Sequence, residues 1–348
     1  MENINFLIRE NIKNLSPYSS ARDEYNGTEG VFLDANENPF GKLNRYPDPY
    51  QWRLKQILSS QKKLAVENIL IGNGSDEIID LVQRVFCEPK QDSVIICSPT
   101  YGMYEVYANI NNLKLISIPL TDNFQLNTEI ILSQKAKILY LCSPNNPTGN
   151  SLENLEYIIQ NFNGIVFLDE AYIDFSEQPS LVKKIKKYPN LIVSQTFSKA
   201  RGLAAARIGV AYANAEIISF LSKVKPPYNI SDLNQKAAVN ALADETVFRN
   251  NINLIIEERE KLKLKLLELD FVTKIYPSDA NFILVEMENA NEIFEALIEK
   301  QIITRNRNSV VKNTIRITIG TAQENELLIY TLQLLEVEML KQSSLNSK

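Results

Sequence analysis

Seven apolar, β-branched runs punctuate the first two thirds of the chain, each closing in turn residues: "NILIG", "SVIICSP", "LKLISIPL", "KILYLCSP", "GIVFLDEAY", "LIVSQTFSK" and "RIGVAYA". Most are continuous rather than alternating, so they read as strands buried on both faces. Between several of them lie helix-length amphipathic segments such as "SDEIIDLVQRVF" and "SLENLEYIIQNF". Strands and helices alternating in this way predict an α/β fold with a mainly parallel sheet covered by helices. After about residue 230 the pattern changes to one long helical stretch, "DLNQKAAVNALADETVFRNNINLIIEEREKLKLKLLELD". The short strand-like pieces "ANFILVEM", "IITRN" and "TIRITIG" follow it. The expected organisation is a large domain over 41–255, a smaller α+β domain over 256–348, and an N-terminal arm, 1–40, that contributes to the smaller domain.

Composition narrows the class. With 45% hydrophobic and 23% charged residues among 348, the chain resembles an ordinary globular protein, and no apolar run approaches the roughly 18 residues that a membrane span needs. The start "MENINFLIRENIKNL" lacks the basic and apolar regions of a signal peptide, so a cytoplasmic location is expected. A net charge of −5 argues against nucleic acid or an anionic membrane as partner. Cys87, Cys97 and Cys142 show no CxxC spacing and read as buried thiols, with no metal site implied. The chain contains no histidine, so proton transfer must use another group. Seven of its 11 glycines, Gly72, Gly74, Gly102, Gly149, Gly202, Gly209 and Gly320, lie at or just beyond the ends of strand-like runs or beside the lysine, and strand ends are where a parallel sheet binds ligands.

Four strand ends carry chemistry. In "GNGSDEIIDL", Ser75 and Asp76 open a helix whose free N–H groups either cap it or hold a phosphate. "SPNNPTG" presents the tandem amides Asn145 and Asn146. "LDEAY" ends an apolar strand on Asp169, with Tyr172 just beyond, and a carboxylate there demands a partner. In "TFSKARGLAAARIG", Lys199 follows Thr196 and Ser198 and precedes Arg207. A lysine amine can attack a carbonyl to form a Schiff base and can shuttle a proton once released. Each feature alone also has a plain reading as a cap, a turn, an ion pair or a loop lysine. The set, in this order, is an inventory for pyridoxal 5′-phosphate (PLP).

The motifs "LDANENP", "NRYPDP", "GNGSDE", "PTYGMY", "SPNNPTG", "LDEAY", "SKARGLAAARIG" and "RITIGT" resemble those of the fold type I PLP-dependent aminotransferases, in particular the histidinol-phosphate aminotransferases, from about Leu15 to Gly320. The resemblance implies a seven-stranded sheet in the large domain, with Lys199 as the cofactor's covalent anchor and Asp169 as partner of the pyridine nitrogen. Asn146 and Tyr172 would then meet the phenolic oxygen, and Tyr101 would stack on the ring. The phosphate would lie among the N–H groups of Ser75 and Asp76, the hydroxyls of Thr196 and Ser198, and Arg207. Tyr46 would reach the phosphate of a neighbouring subunit, which makes the expected assembly a homodimer. Tyr18, Asn36, Arg305 and Arg316 would bind the substrates. The implied reaction, in histidine biosynthesis, exchanges an amino group between histidinol phosphate with 2-oxoglutarate and imidazole-acetol phosphate with L-glutamate. An aromatic aminotransferase or a threonine-phosphate decarboxylase of the same fold is the alternative. Arg201, Ala205 and Ala206 depart from the family pattern, at positions expected to affect packing more than chemistry.

Overall fold

The computed structural model describes residues 4–17 and 30–346, with side chains through 341. All seven apolar runs form strands of one sheet. They are β1 (Ile69–Asn73), β2 (Ser93–Ser98), β3 (Lys114–Pro119), β4 (Ile138–Cys142), β5 (Ile165–Asp169), β6 (Leu191–Thr196) and β7 (Ile208–Ala213), in the order β1-β7-β6-β5-β4-β2-β3. The strands from β3 to β6 pair parallel, whereas β7 runs antiparallel to both β1 and β6. Six of the seven strands therefore point the same way and end on one edge.

Alternate residues of each strand face opposite helical layers. On β5, Val166 and Leu168 join one core with Leu139, Val193 and Val210, while Ile165 and Phe167 join another with Tyr140 and Ile192. That two-sided burial is why the strands read as continuous apolar runs. At roughly 1.5–3 kcal/mol for each large apolar side chain taken out of water, these two layers make the sheet a rigid platform for its edge.

A second, wholly antiparallel sheet contains β8 (Val272–Ile275), β9 (Phe282–Met287), β10 (Arg305–Asn306) and β11 (Thr314–Thr318), in the order β10-β11-β9-β8. Its core includes Leu262 and Leu266 of helix Glu245–Leu266 together with Leu328 and Leu332 of helix Ala322–Asn346. The long helical stretch after residue 230 is two helices, Asp232–Ala241 and Glu245–Leu266. Asp244 divides them, its side chain accepting the Val247 N–H at 2.9 Å as an N-cap.

The described part of the N-terminal arm corrects one expectation. Ile4, Ile8 and Ile12, spaced four apart, bury a stripe among Val85, Ile217 and Leu221 on the seven-stranded sheet's layer, rather than joining the smaller sheet. Arg9 fixes the segment there through Glu88 at 2.9 Å.

Candidate active site

The aligned strand ends open into a cavity of about 570 Å³. Ser75, Tyr101, Asn146, Asp169, Lys199 and Arg316 all line it, although they come from both sheets.

One end of the cavity is built for an anion. After β1 the chain turns at Gly74, φ +76°, directly into helix Gly74–Phe86, whose first-turn N–H groups have no helical acceptors. A Cβ on Gly209 would meet the Gly74 carbonyl carbon at 2.4 Å and the Ser75 nitrogen at 2.5 Å, so only a bare backbone lets β7 lie this close to the turn. The Gly74 N–H donates to the Arg207 carbonyl at 2.8 Å. Arg207 itself sits at φ 52°, a left-handed conformation that costs a non-glycine residue roughly 1–2 kcal/mol and brings its guanidinium to the cavity. Asp76 positions that guanidinium at 3.3 Å and accepts the Tyr101 hydroxyl at 3.0 Å. Thr196 and Ser198 line the same cavity, and the buried Ser75 hydroxyl has no hydrogen-bond partner among the described residues. An orphaned hydroxyl, free helix N–H groups and a guanidinium together make a cup suited to a phosphate.

At the centre, β5 delivers Asp169, only 3% exposed. The Tyr104 hydroxyl donates to it at 2.8 Å and the Ala171 N–H at 3.1 Å. Burial nevertheless pushes its carboxyl up to about 6, against the pull of Tyr104. Such a carboxylate is stabilised by meeting a cation. Lys199 lies with Nζ 5.6 Å from the Tyr172 ring centre. Its burial, reinforced by the nearby Arg316 charge, lowers its amine below the usual lysine range and so favours the neutral, nucleophilic form. Tyr172 packs edge-on against Phe282 and its hydroxyl is pushed up by burial.

The tandem amides divide their work. Asn145 is consumed by the turn, donating to the Pro99 carbonyl and the Thr148 hydroxyl and accepting from Thr100. Asn146 faces the cavity, and its Oδ1 accepts from Arg316. Arg305 and Arg316 also line the cavity, joined by a third guanidinium, Arg307, that the motifs did not single out. Tyr104 also went unnoticed, although it sits one helical turn beyond Tyr101 in "PTYGMY".

Two expected residues are elsewhere. Tyr46 is 52% exposed and stacks on Tyr228 with ring centres 4.4 Å apart. Tyr46 and Asn36 line a separate hollow, which makes Asn36 a correction as a ligand of this cavity within one chain. Loop geometry is the reason, since Glu37 holds this segment to itself through Arg45 and the Tyr46 N–H. Tyr18 lies outside the described residues. Arg201 bridges to Glu245 at 3.0 Å and lies over the Phe248 ring, tying the turn after Lys199 to helix Glu245–Leu266.

The family profile "Aminotransferase class I and II" matches residues 24–332. The chain belongs to this family. Two curated relatives of this aminotransferase bear the name histidinol-phosphate aminotransferase. One, from Flavobacterium psychrophilum, is 51% identical over 96% of this chain and 99% of its own. The other, from Parabacteroides distasonis, is 50% identical over 94% and 98%. Among solved structures, the histidinol-phosphate aminotransferase of Clostridium acetobutylicum aligns with TM-score 0.79 and 25% identity, covering 85% of this chain and 92% of that one. The L-threonine-O-3-phosphate decarboxylase of Porphyromonas gingivalis shares the fold, with TM-score 0.73 at 22% identity over 84% and 91%. The aminotransferase family works with PLP, and this cavity fits it. A phosphate cup with an orphaned hydroxyl, a buried carboxylate in need of a cation and a lysine with a depressed amine line one space of suitable size.

Proposed function

We propose that this aminotransferase exchanges an amino group between histidinol phosphate and 2-oxoglutarate in histidine biosynthesis, in the cytoplasm. The observation that carries the reading is the group of three guanidiniums lining the same cavity as Lys199, suited to anions and to both of these substrates. The names of the half-identical relatives support it.

When bound, PLP supplies an electron-withdrawing ring and a carbonyl carbon that carries an amino group. The residues do the rest. Ser75, Thr196, Ser198 and Arg207 would hold its phosphate, and Tyr101 would cover its ring. Asp169 would keep the pyridine nitrogen charged, while Asn146 and Tyr172 would meet the phenolic oxygen. Lys199 Nζ, held as a neutral amine, would be the covalent anchor for the cofactor's carbonyl carbon and, when not so engaged, the group that takes and returns the proton that moves during transfer. Arg316 anchors the anionic end of each substrate, its orientation set by Asn146.

Histidinol phosphate and glutamate should each convert the bound cofactor to its amine form, seen by absorbance, and should compete with each other. Unphosphorylated histidinol should react roughly 100-fold or more poorly, because desolvated guanidiniums left without their anion are costly. Arg316→Lys should impair both substrates, since an ammonium cannot reproduce the bidentate fork. An enzyme that ignored histidinol phosphate yet transaminated phenylalanine or aspartate, or released carbon dioxide from threonine phosphate, would have a different substrate.

The assembly we infer is a homodimer in which Tyr46 serves the partner's cavity. Its exposure, and that of Val31, Leu33 and Phe40 nearby, support this reading. Mixing Tyr46→Phe with Lys199→Ala protein should then restore native pairings at about a quarter of the sites after subunit exchange, half the dimers being mixed with one intact site each. Activity that stays at the sum of the separate preparations would argue against shared sites.

A further inference from the structure

We propose that Arg307 is the residue by which this cavity distinguishes a dianionic phosphoryl end from a carboxylate. The inference rests on the substrate reading above and adds a specificity-determining residue to it. The register of the small sheet sets Arg305 directly opposite Arg316. Arg307 follows two positions after Arg305, on the same face, and its N–H extends the ladder to the Thr314 carbonyl at 2.9 Å. Three guanidiniums thus share one wall of the cavity. Like charges across a ladder are destabilising, and among the described residues none of the three has an ion-pair partner.

Arg307 is the most anomalous of them. Its Nε, like that of Arg316, is buried without a hydrogen-bond partner among the described residues, but unlike Arg316 it has no side-chain hydrogen bond there to fix its guanidinium. Burial, then the charges of Arg316 and Arg305, disfavour its cationic form. A residue kept for structure would have an acceptor; this one is left in need of an anion. Arg305 is exposed, and Arg316 is already directed by Asn146, so Arg307 is the half-buried fork still free to bind. One carboxylate is satisfied by one fork. A phosphate monoester carries about −1.5 to −2 at neutral pH and three acceptor oxygens, and needs two.

The test is Arg307→Gln in the PLP-loaded enzyme. For histidinol phosphate, kcat/KM should fall by about 30- to 100-fold, whereas the glutamate half-reaction should fall about threefold or less. The wild-type kcat/KM should rise as the phosphate loses its second proton near pH ~6, and this rise should flatten in the variant. Inorganic phosphate should raise the wild-type Tm more than the variant's, and the unliganded variant should be no less stable than wild type. Arg307→Lys should recover only part of the selectivity. Equal losses on both substrates, no loss on either, or a Tm deficit shared by Gln and Lys variants would overturn the proposal. Should the wild type fail to use histidinol phosphate at all, the substrate reading falls. The phosphate-induced Tm shift then judges Arg307 separately, and a full shift in Arg307→Gln would dismiss it.

Discussion

Lys199→Ala should yield a folded protein that still holds PLP in its phosphate cup yet loses turnover by about 10⁴-fold or more. The loss is large because nothing nearby substitutes. The chain has no histidine, and Lys199 is the only lysine lining the cavity among the described residues. Folding should survive, because removing a buried amine whose charged form is disfavoured by burial relieves a cost rather than breaking a contact. Borohydride should fix the cofactor to wild-type Lys199, as located by peptide mass mapping, and should fix nothing to the variant. An adduct on another lysine, or turnover within tenfold of wild type, would remove Lys199 from the mechanism.

Asp169→Asn should cost about 10³-fold in kcat. At ~4 Å and an effective dielectric near 20, a carboxylate and a ring cation attract by roughly 4 kcal/mol, or about three pKa units, which is the margin that keeps a weakly basic nitrogen protonated. The amide retains an oxygen for the Ala171 N–H and a group for Tyr104, so the variant should fold and bind cofactor. Near-native turnover would eliminate the electrostatic role. The pH dependence adds a second readout. In cofactor-free protein the carboxyl rises from its ordinary 3.8 to about 6, so the folded state holds its proton more tightly than the unfolded chain. Wild type should therefore lose stability relative to Asp169→Asn as pH rises from ~4 to ~6, by on the order of 3 kcal/mol, with no further change above. Denaturation of both proteins across that range measures the difference.

The sheet was legible because its strands, the edge strand β3 excepted, are largely buried on both faces, leaving near-continuous apolar runs. Strand β8 was hidden for the opposite reason, being four residues long with Thr273 and Lys274 exposed. The break between the two helices after residue 230 rests on Asp244 alone, which within an amphipathic run looks like one more surface carboxylate. Lys199, Asp169 and Ser75 stood out because each lies at the end of a strand or within three residues beyond it. The two amides of "SPNNPTG" were indistinguishable in sequence, since the turn's own hydrogen bonds decide which one reaches the cavity. Tyr104 resembled any core aromatic, its hydroxyl's purpose visible only once β5 lay beside it. Arg307 lay beyond the two-residue strand β10, too short for alternation to place it on the same face as Arg305.

The pairing of β1 with β7 sets a timetable for the newborn chain. Asn68 donates to the Ala213 carbonyl at 2.8 Å, 145 positions along the sequence, and Gly74 and Arg207 close the same gap. At a synthesis rate of about 5–20 residues per second, the first strand waits roughly 7–30 s for the neighbour that completes its turn. During that interval its hydrogen-bonding edge is bare, and no amount of vitamin in the cell can template the cup, because half of it has not yet been translated.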